Sequence, residues 1–123
     1  MLAGAMDSLI VGDPALPATD VGPVIDEPSY ARLMGRREAM KDRILKSVAA
    51  PSEGLFVPPT LIAIDRIEDL QEEWFGPLLH VTTWPGGALA ETVRRVNATG
   101  FGLTMGLHSR IARAAETVEE VGP

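Results

Sequence analysis

Apolar positions along this chain change their spacing several times, and each change predicts an element. Leu2, Met6 and Leu9 fall at helical spacing from the first residues, with no capping side chain ahead of them. Gly12-Asp13-Pro14 predicts a turn, and the Pro-, Gly- and Asp-rich stretch over 13–25 an ordered loop. Asp26 is placed to cap a helix over about 27–40, with Pro28 tolerated in its first turn. Tyr30, Leu33 and Met34 would then face the core. A short strand is predicted from Arg43 to Val48 and a turn from Pro51 to Gly54. Phe56 to Ile64 is extended, with Pro58 and Pro59 keeping its start at a sheet edge or outside the ladder. Leu78 to Trp84 is a strong strand candidate, residues 87–97 form a helix with Leu89, Val93 and Val96 on one face, and Leu103 to His108 is a further strand. The two strands 78–84 and 103–108 read as nearly continuous apolar runs, the pattern of strands covered on both faces. Ser109 is placed to cap a last helix striped by Ile111, Ala114, Ala115, Val118 and Val121, with Gly122-Pro123 as its stop signal. Helices alternating with short apolar strands predict an α/β layer structure.

Composition narrows the class. A chain of 123 residues suits one small domain, able to bury roughly two thirds of its unfolded surface. Eleven basic residues face seventeen acidic ones, for a net charge of −6, and there is no basic run to neutralise phosphates. Nucleic acid is therefore an unexpected partner. No apolar run approaches the ~20 residues of a membrane span, and no signal peptide is visible, so the expected compartment is the cytoplasm. Cysteine is absent, which removes disulfides, thiolate metal sites and a cysteine nucleophile. Two histidines, His80 and His108, are too few and too far apart in sequence to predict a metal site.

The informative stretch is Glu72-Glu73-Trp74-Phe75-Gly76-Pro77, directly ahead of the strand candidate at Leu78. A carboxylate and an aromatic two residues apart reach the same side of an extended backbone, and a Gly-Pro turn sets their direction. An acid can accept hydrogen bonds from ribose hydroxyls, and an aromatic ring can pack on a nicotinamide. On physics alone simple local packing is the better reading, since an acid and an aromatic ahead of a Gly-Pro turn usually serve it.

Glu-Glu-Trp-Phe-Gly-Pro resembles the Glu-x-Phe-Gly-Pro signature of aldehyde dehydrogenases. Other pieces agree in order and spacing: Val11-Gly12-Asp13-Pro14, Val21-Gly22-Pro23-Val24-Ile25, Gly54-Leu55-Phe56-Val57-Pro58-Pro59-Thr60, and Asn97 to Thr104 with its Gly102-Leu103. Each piece is weak alone, and the five in the family's order are a strong signal. The stretches Asp20–Asp26 and Thr104–Ile111 further resemble the glutamate-semialdehyde (Δ1-pyrroline-5-carboxylate) dehydrogenase half of bifunctional proline utilisation A. The resemblance implies that the chain is part of an aldehyde dehydrogenase catalytic domain, with NAD as cofactor and a small-molecule aldehyde, L-glutamate γ-semialdehyde, as substrate. It implies Glu73 on the nicotinamide ribose, Phe75 beside the nicotinamide, and a homo-oligomeric parent enzyme. It also implies truncation at both ends. The family's nucleophilic Cys, its general-base Glu and its dinucleotide-binding domain would lie upstream, and the substrate-anchoring loop and oligomerisation strand downstream. The chain alone is therefore expected to be inactive, with no catalytic residue of its own.

The remaining notable residues have plain structural readings. His80 and His108 are read as packed or surface-facing histidines, the second also a marker of the subfamily by resemblance. Trp74 and Trp84 are core or interface aromatics. Arg94-Arg95 is a solvated helix face, Arg36-Arg37 needs no phosphate ligand, and Glu119-Glu120 marks an exposed or partner-covered helix end. Gly100, Gly102 and Gly106 do not match a dinucleotide fingerprint. The alternatives are another aldehyde dehydrogenase subfamily, or a non-catalytic α/β domain that pairs with other chains through its sheet.

Overall fold

The computed structural model describes residues 1–121, and within them the chain divides into two compact units. The first comprises Met1–Ile64 and Trp74–Val81, the second Asp65–Glu73 and the chain from Thr82 onward. The Gly122-Pro123 stop signal lies outside the described residues.

The first unit opens on α1 (Leu2–Met6), which has no side-chain cap. Met6 is buried, but the helix ends there, and Leu9 lies beyond it. The loop that follows is ordered by its acids: Asp13 accepts from the Ala15 N–H at 2.9 Å, and Asp20 from the Ile10 N–H at 2.8 Å. A parallel bridge joins Val11 to Val21. The next element, α2 (Glu27–Ala39), starts as its sequence dictates. The Asp26 carboxylate accepts the Ser29 N–H at 2.8 Å, and Pro28 sits in the first turn, where no N–H is missed. The Ser29 hydroxyl, and then that N–H, hold the Asp26 carboxyl below the usual carboxylate range.

A 3-10 turn over Lys41–Arg43 leads into β1 (Ile44–Ser47), which pairs antiparallel with β2 (Thr60–Ala63). In turn β2 pairs parallel with β3 (Leu78–Val81), giving a three-stranded mixed sheet in the order β1-β2-β3. Pro58 and Pro59 fall just outside the ladder, as their missing N–H requires. The central strand is the most buried one, with Thr60, Leu61 and Ile62 all enclosed. Leu33 of α2, Val57 and Leu78 form the core cluster, with Val24, Tyr30, Met34 and Trp74 packed against it. Arg37 ties the helix to the sheet: its Nε donates to Thr60 Oγ1 at 2.7 Å and its Nη2 to Ser47 Oγ at 3.0 Å.

The second unit holds a 3-10 turn over Ile67–Asp69, α3 (Leu89–Asn97) and α4 (Ala112–Val121). Val93 is buried at the centre of the apolar face of α3, between partly buried Leu89 and Val96. Asn97 Nδ2 donates to the Val121 carbonyl at 2.9 Å, joining the two helices. Arg95 is not merely solvated as expected. It forms a bidentate pair with Glu68, both bonds at 2.6 Å, and those donors hold the Glu68 carboxyl down to about 2. Arg94 follows the expectation, pairing on the surface with Glu91.

Three expectations need correction. First, β3 stops at Val81, so Thr82 to Trp84 are not strand. It is covered on one face only, since Leu78 is buried while Leu79 is exposed. Second, Leu103 to His108 is not a strand. Its apolar residues alternate correctly, but it has no ladder partner among the described residues, and Gly102 and Gly106 lower its intrinsic preference. Leu103 is 93% exposed. Third, Ser109 Oγ accepts from the Ile111 N–H at 3.0 Å one step ahead of α4, and Ile111 and Ala115 are exposed. Only Ala114, Val118 and Val121 keep the predicted stripe turned inward.

This much uncovered apolar surface has a consequence for the isolated chain. Besides Leu79 and Leu103, Trp84, Leu107 and Ile111 are exposed, and an open apolar hollow of about 390 Å³ lies between Met6, Leu9, Val21, Leu78 and Leu79. Exposed apolar area and an open β3 edge favour association, while the net charge of −6 opposes it only over a screened range of about 8 Å at physiological salt. The purified 123-residue chain is expected to associate. A monodisperse monomer of 13.1 kDa by light scattering, with a sharp cooperative melt, would contradict this.

Candidate functional site

The Glu-x-Phe-Gly-Pro stretch takes its rigidity from α2. Arg32 and Arg36 are four residues apart, hence neighbours on one helix face. Both lay their guanidinium groups over the Trp74 ring, with centroid distances of 4.4 Å and 5.0 Å. Each such contact contributes about 0.5–1 kcal/mol near the surface. The ring itself packs against the Leu33, Val57 and Leu78 cluster. Arg36 is also held from another side: its Nε donates to His80 Nε2 on β3, at a long 3.4 Å. This bond requires a neutral imidazole with Nε2 unprotonated. Burial, and then the charge of Arg36, both push the His80 pKa down and favour that form.

Two residues on, Gly76 admits no side chain. A Cβ there would lie 2.5 Å from Leu33 Cδ1, and Leu33 is only 1% exposed, so the leucine has little room to move. Pro77 follows, its carbonyl accepting the Thr60 N–H at 2.9 Å, and the Leu78 N–H returns to the Gly76 carbonyl at 2.8 Å. The backbone on both sides of Phe75 is thus fixed, and the Phe75 ring between them is 74% exposed. Gly76→Ala is expected to cost about 1–3 kcal/mol through overpacking against Leu33. A denaturant titration of the folded enzyme showing no loss would contradict the close approach.

Of the two predicted cofactor residues, Phe75 stands on this fixed turn of the first unit. Glu73 closes the 65–73 segment of the second unit, and its side chain is exposed. A planar apolar ring standing in solvent on an immobile backbone fits contact with a flat heterocycle, and an exposed carboxylate fits hydroxyl donors. The sequence reading assigned Trp74 to packing and His80 to a packed or surface position. It missed that both meet Arg36, because nothing in a linear sequence links position 36 to positions 74 and 80. The spacing of Arg32 and Arg36 was the available signal. His108 is exposed, like the rest of the 101–110 segment. Among the described residues no group of three or more His, Asp or Glu is placed to hold a metal ion, and no helix is long and apolar enough to cross a membrane.

An α/β segment with this signature turn docked on a helix is shared with known enzymes, and the chain belongs to the aldehyde dehydrogenase family, whose model matches residues 1–121. Among its relatives is the bifunctional protein PutA of Klebsiella aerogenes, 39% identical over 98% of this chain. The PutA of Rhizobium meliloti is 42% identical over 80% of it. A crystal structure of proline utilization A from Bradyrhizobium japonicum superposes on 98% of the chain with a TM-score of 0.90 and 40% identity. This chain spans about a tenth of the length of those PutA relatives, 10% of the Klebsiella protein. A betaine aldehyde dehydrogenase of Sinorhizobium fredii is 30% identical over 94% of this chain.

Proposed function

We propose that these 123 residues form part of a single aldehyde dehydrogenase catalytic domain, in an enzyme that oxidises L-glutamate γ-semialdehyde to glutamate with NAD. The observation that carries this reading is the Glu73-Trp74-Phe75-Gly76-Pro77 signature, with Phe75 on a locked turn, together with 39% identity to a PutA over 98% of the chain. NAD, when bound, accepts the hydride from the substrate. The part of this chain is to hold and orient it. Glu73 accepts hydrogen bonds from the hydroxyls of the nicotinamide ribose, and Phe75 gives the nicotinamide ring an apolar face. With no Cys in the 123 residues, the covalent step belongs to other segments of the enzyme, and the chain alone is inactive. The parent is a cytoplasmic homo-oligomer on this reading.

Substrate identity is tested in the complete enzyme that carries this chain. Glutamate semialdehyde should be oxidised with kcat/KM at least tenfold above that of betaine aldehyde, with glutamate as product. Preference for betaine aldehyde would favour a different subfamily, a reading with the weaker support of 30% identity to the Sinorhizobium fredii enzyme.

A further inference from the structure

The residue inside the signature that the sequence leaves unspecified is Trp74, and it is the most heavily engaged of the group. Its ring is pressed on the core by Leu33, Val57 and Leu78 and lies under two guanidinium groups, at 4.4 Å and 5.0 Å. One of those groups, Arg36, is itself anchored on β3 through His80. Phe75, the next residue, has no comparable cover, with most of its ring in solvent. A side chain so exposed cannot hold its own direction by packing. Its direction depends on the backbone at Trp74 on one side and at Gly76 on the other. Gly76 is already accounted for by its close approach to Leu33, which leaves Trp74 as the second fixed point.

We propose that Trp74 is a positioning residue for the cofactor: clasped by Arg32 and Arg36, it fixes the backbone that aims Phe75 at the nicotinamide. This rests on the reading of Phe75 as a cofactor contact. Packing alone would be served by any apolar side chain. The two arginines add a directional element, because they hold the ring only in the orientation that faces them. Trp74→Phe keeps an aromatic face for the arginines, and Trp74→Ala removes it.

The test is a double-mutant cycle in the complete enzyme, reading the KM for NAD and the KM for the aldehyde separately. Trp74→Ala is expected to raise the KM for NAD about tenfold and to leave the KM for the aldehyde within about twofold, while Trp74→Phe restores most of the loss. Adding Phe75→Ala to Trp74→Ala should produce little further change, because the first substitution has already removed what the second removes. Arg36→Gln serves where Trp74→Ala does not fold, and is expected to raise the KM for NAD about threefold, again without additivity toward Phe75→Ala. If Phe75→Ala raises the KM for NAD but Trp74→Ala and Arg36→Gln only lower the melting temperature, Trp74 is structural and the proposal falls. Fully additive effects overturn it as well. If Phe75→Ala itself leaves the KM for NAD unchanged, the cofactor reading of Phe75 fails first, and the proposal with it.

Discussion

Purified on its own, the 123-residue chain is expected to form no NADH from L-glutamate γ-semialdehyde and NAD. Aldehyde oxidation by this family's resemblance-implied route begins with a thiolate attacking the carbonyl, and the sequence holds no cysteine at all. Two of its hydroxyls have structural roles. Thr60 Oγ1 donates to the Pro58 carbonyl at 2.6 Å and accepts from Arg37, a buried structural hydroxyl rather than an activated one. Ser109 is committed to the Ile111 N–H. The whole enzymatic acceleration, commonly 10⁶-fold or more, should therefore be missing rather than reduced. The check is NADH absorbance over hours at high protein concentration, against a buffer blank. Steady production above the blank, proportional to chain concentration and removed by immunodepletion of the chain, would overturn the assignment of the nucleophile to another segment.

In the complete enzyme, Glu73→Gln is expected to cut kcat/KM for NAD by about two- to thirtyfold. Glutamine has nearly the same shape and still offers one carbonyl acceptor, but it loses the charge. Hydrogen bonds to charged groups contribute about 1.5–3 kcal/mol, against about 1 for neutral ones. Each 1.4 kcal/mol is a factor of ten. Glu73 is exposed, so the substitution opens no cavity, and the melting temperature should shift by less than about 2 °C. Kinetics with NAD varied, run beside a thermal melt, separate the two effects. Unchanged turnover and an unchanged KM for NAD would show that the carboxylate does not meet the ribose.

What was legible in the sequence was local. Asp26 ahead of Glu27-Pro28-Ser29 specified the start of α2, because a cap is a contact between residues three apart. Pro58-Pro59 kept the start of β2 outside the ladder, because proline's missing donor acts wherever it sits. Val93 with Leu89 and Val96 gave the inward face of α3 by its spacing alone. The signature at Glu73 and Phe75 was readable for another reason: its residues are contiguous, so a pattern held in one short stretch survives without any knowledge of the fold.

The errors share a cause. Leu103, Met105 and Leu107 alternate as a strand should, yet alternation describes a surface and a ladder needs a partner, and none exists among the described residues. Likewise Leu78-Leu79 read as doubly covered, while in β3 Leu78 is buried and Leu79 is exposed. Ser109 was two residues too early to cap α4, an ordinary slip where helix ends are inferred from residue type.

The sequence by itself determined the family, the helix caps, the periodicities and the two residues proposed to meet NAD, since each rests on residue type and short spacing. Tertiary structure alone decided how those residues are held. Leu33 of α2 meets Gly76 across 43 positions of chain, Arg36 reaches both Trp74 and His80, and Arg95 finds Glu68. Such contacts are set by where the helices and strands come to rest when they bury their apolar faces, and that information is distributed over the whole chain. No window of sequence contains it.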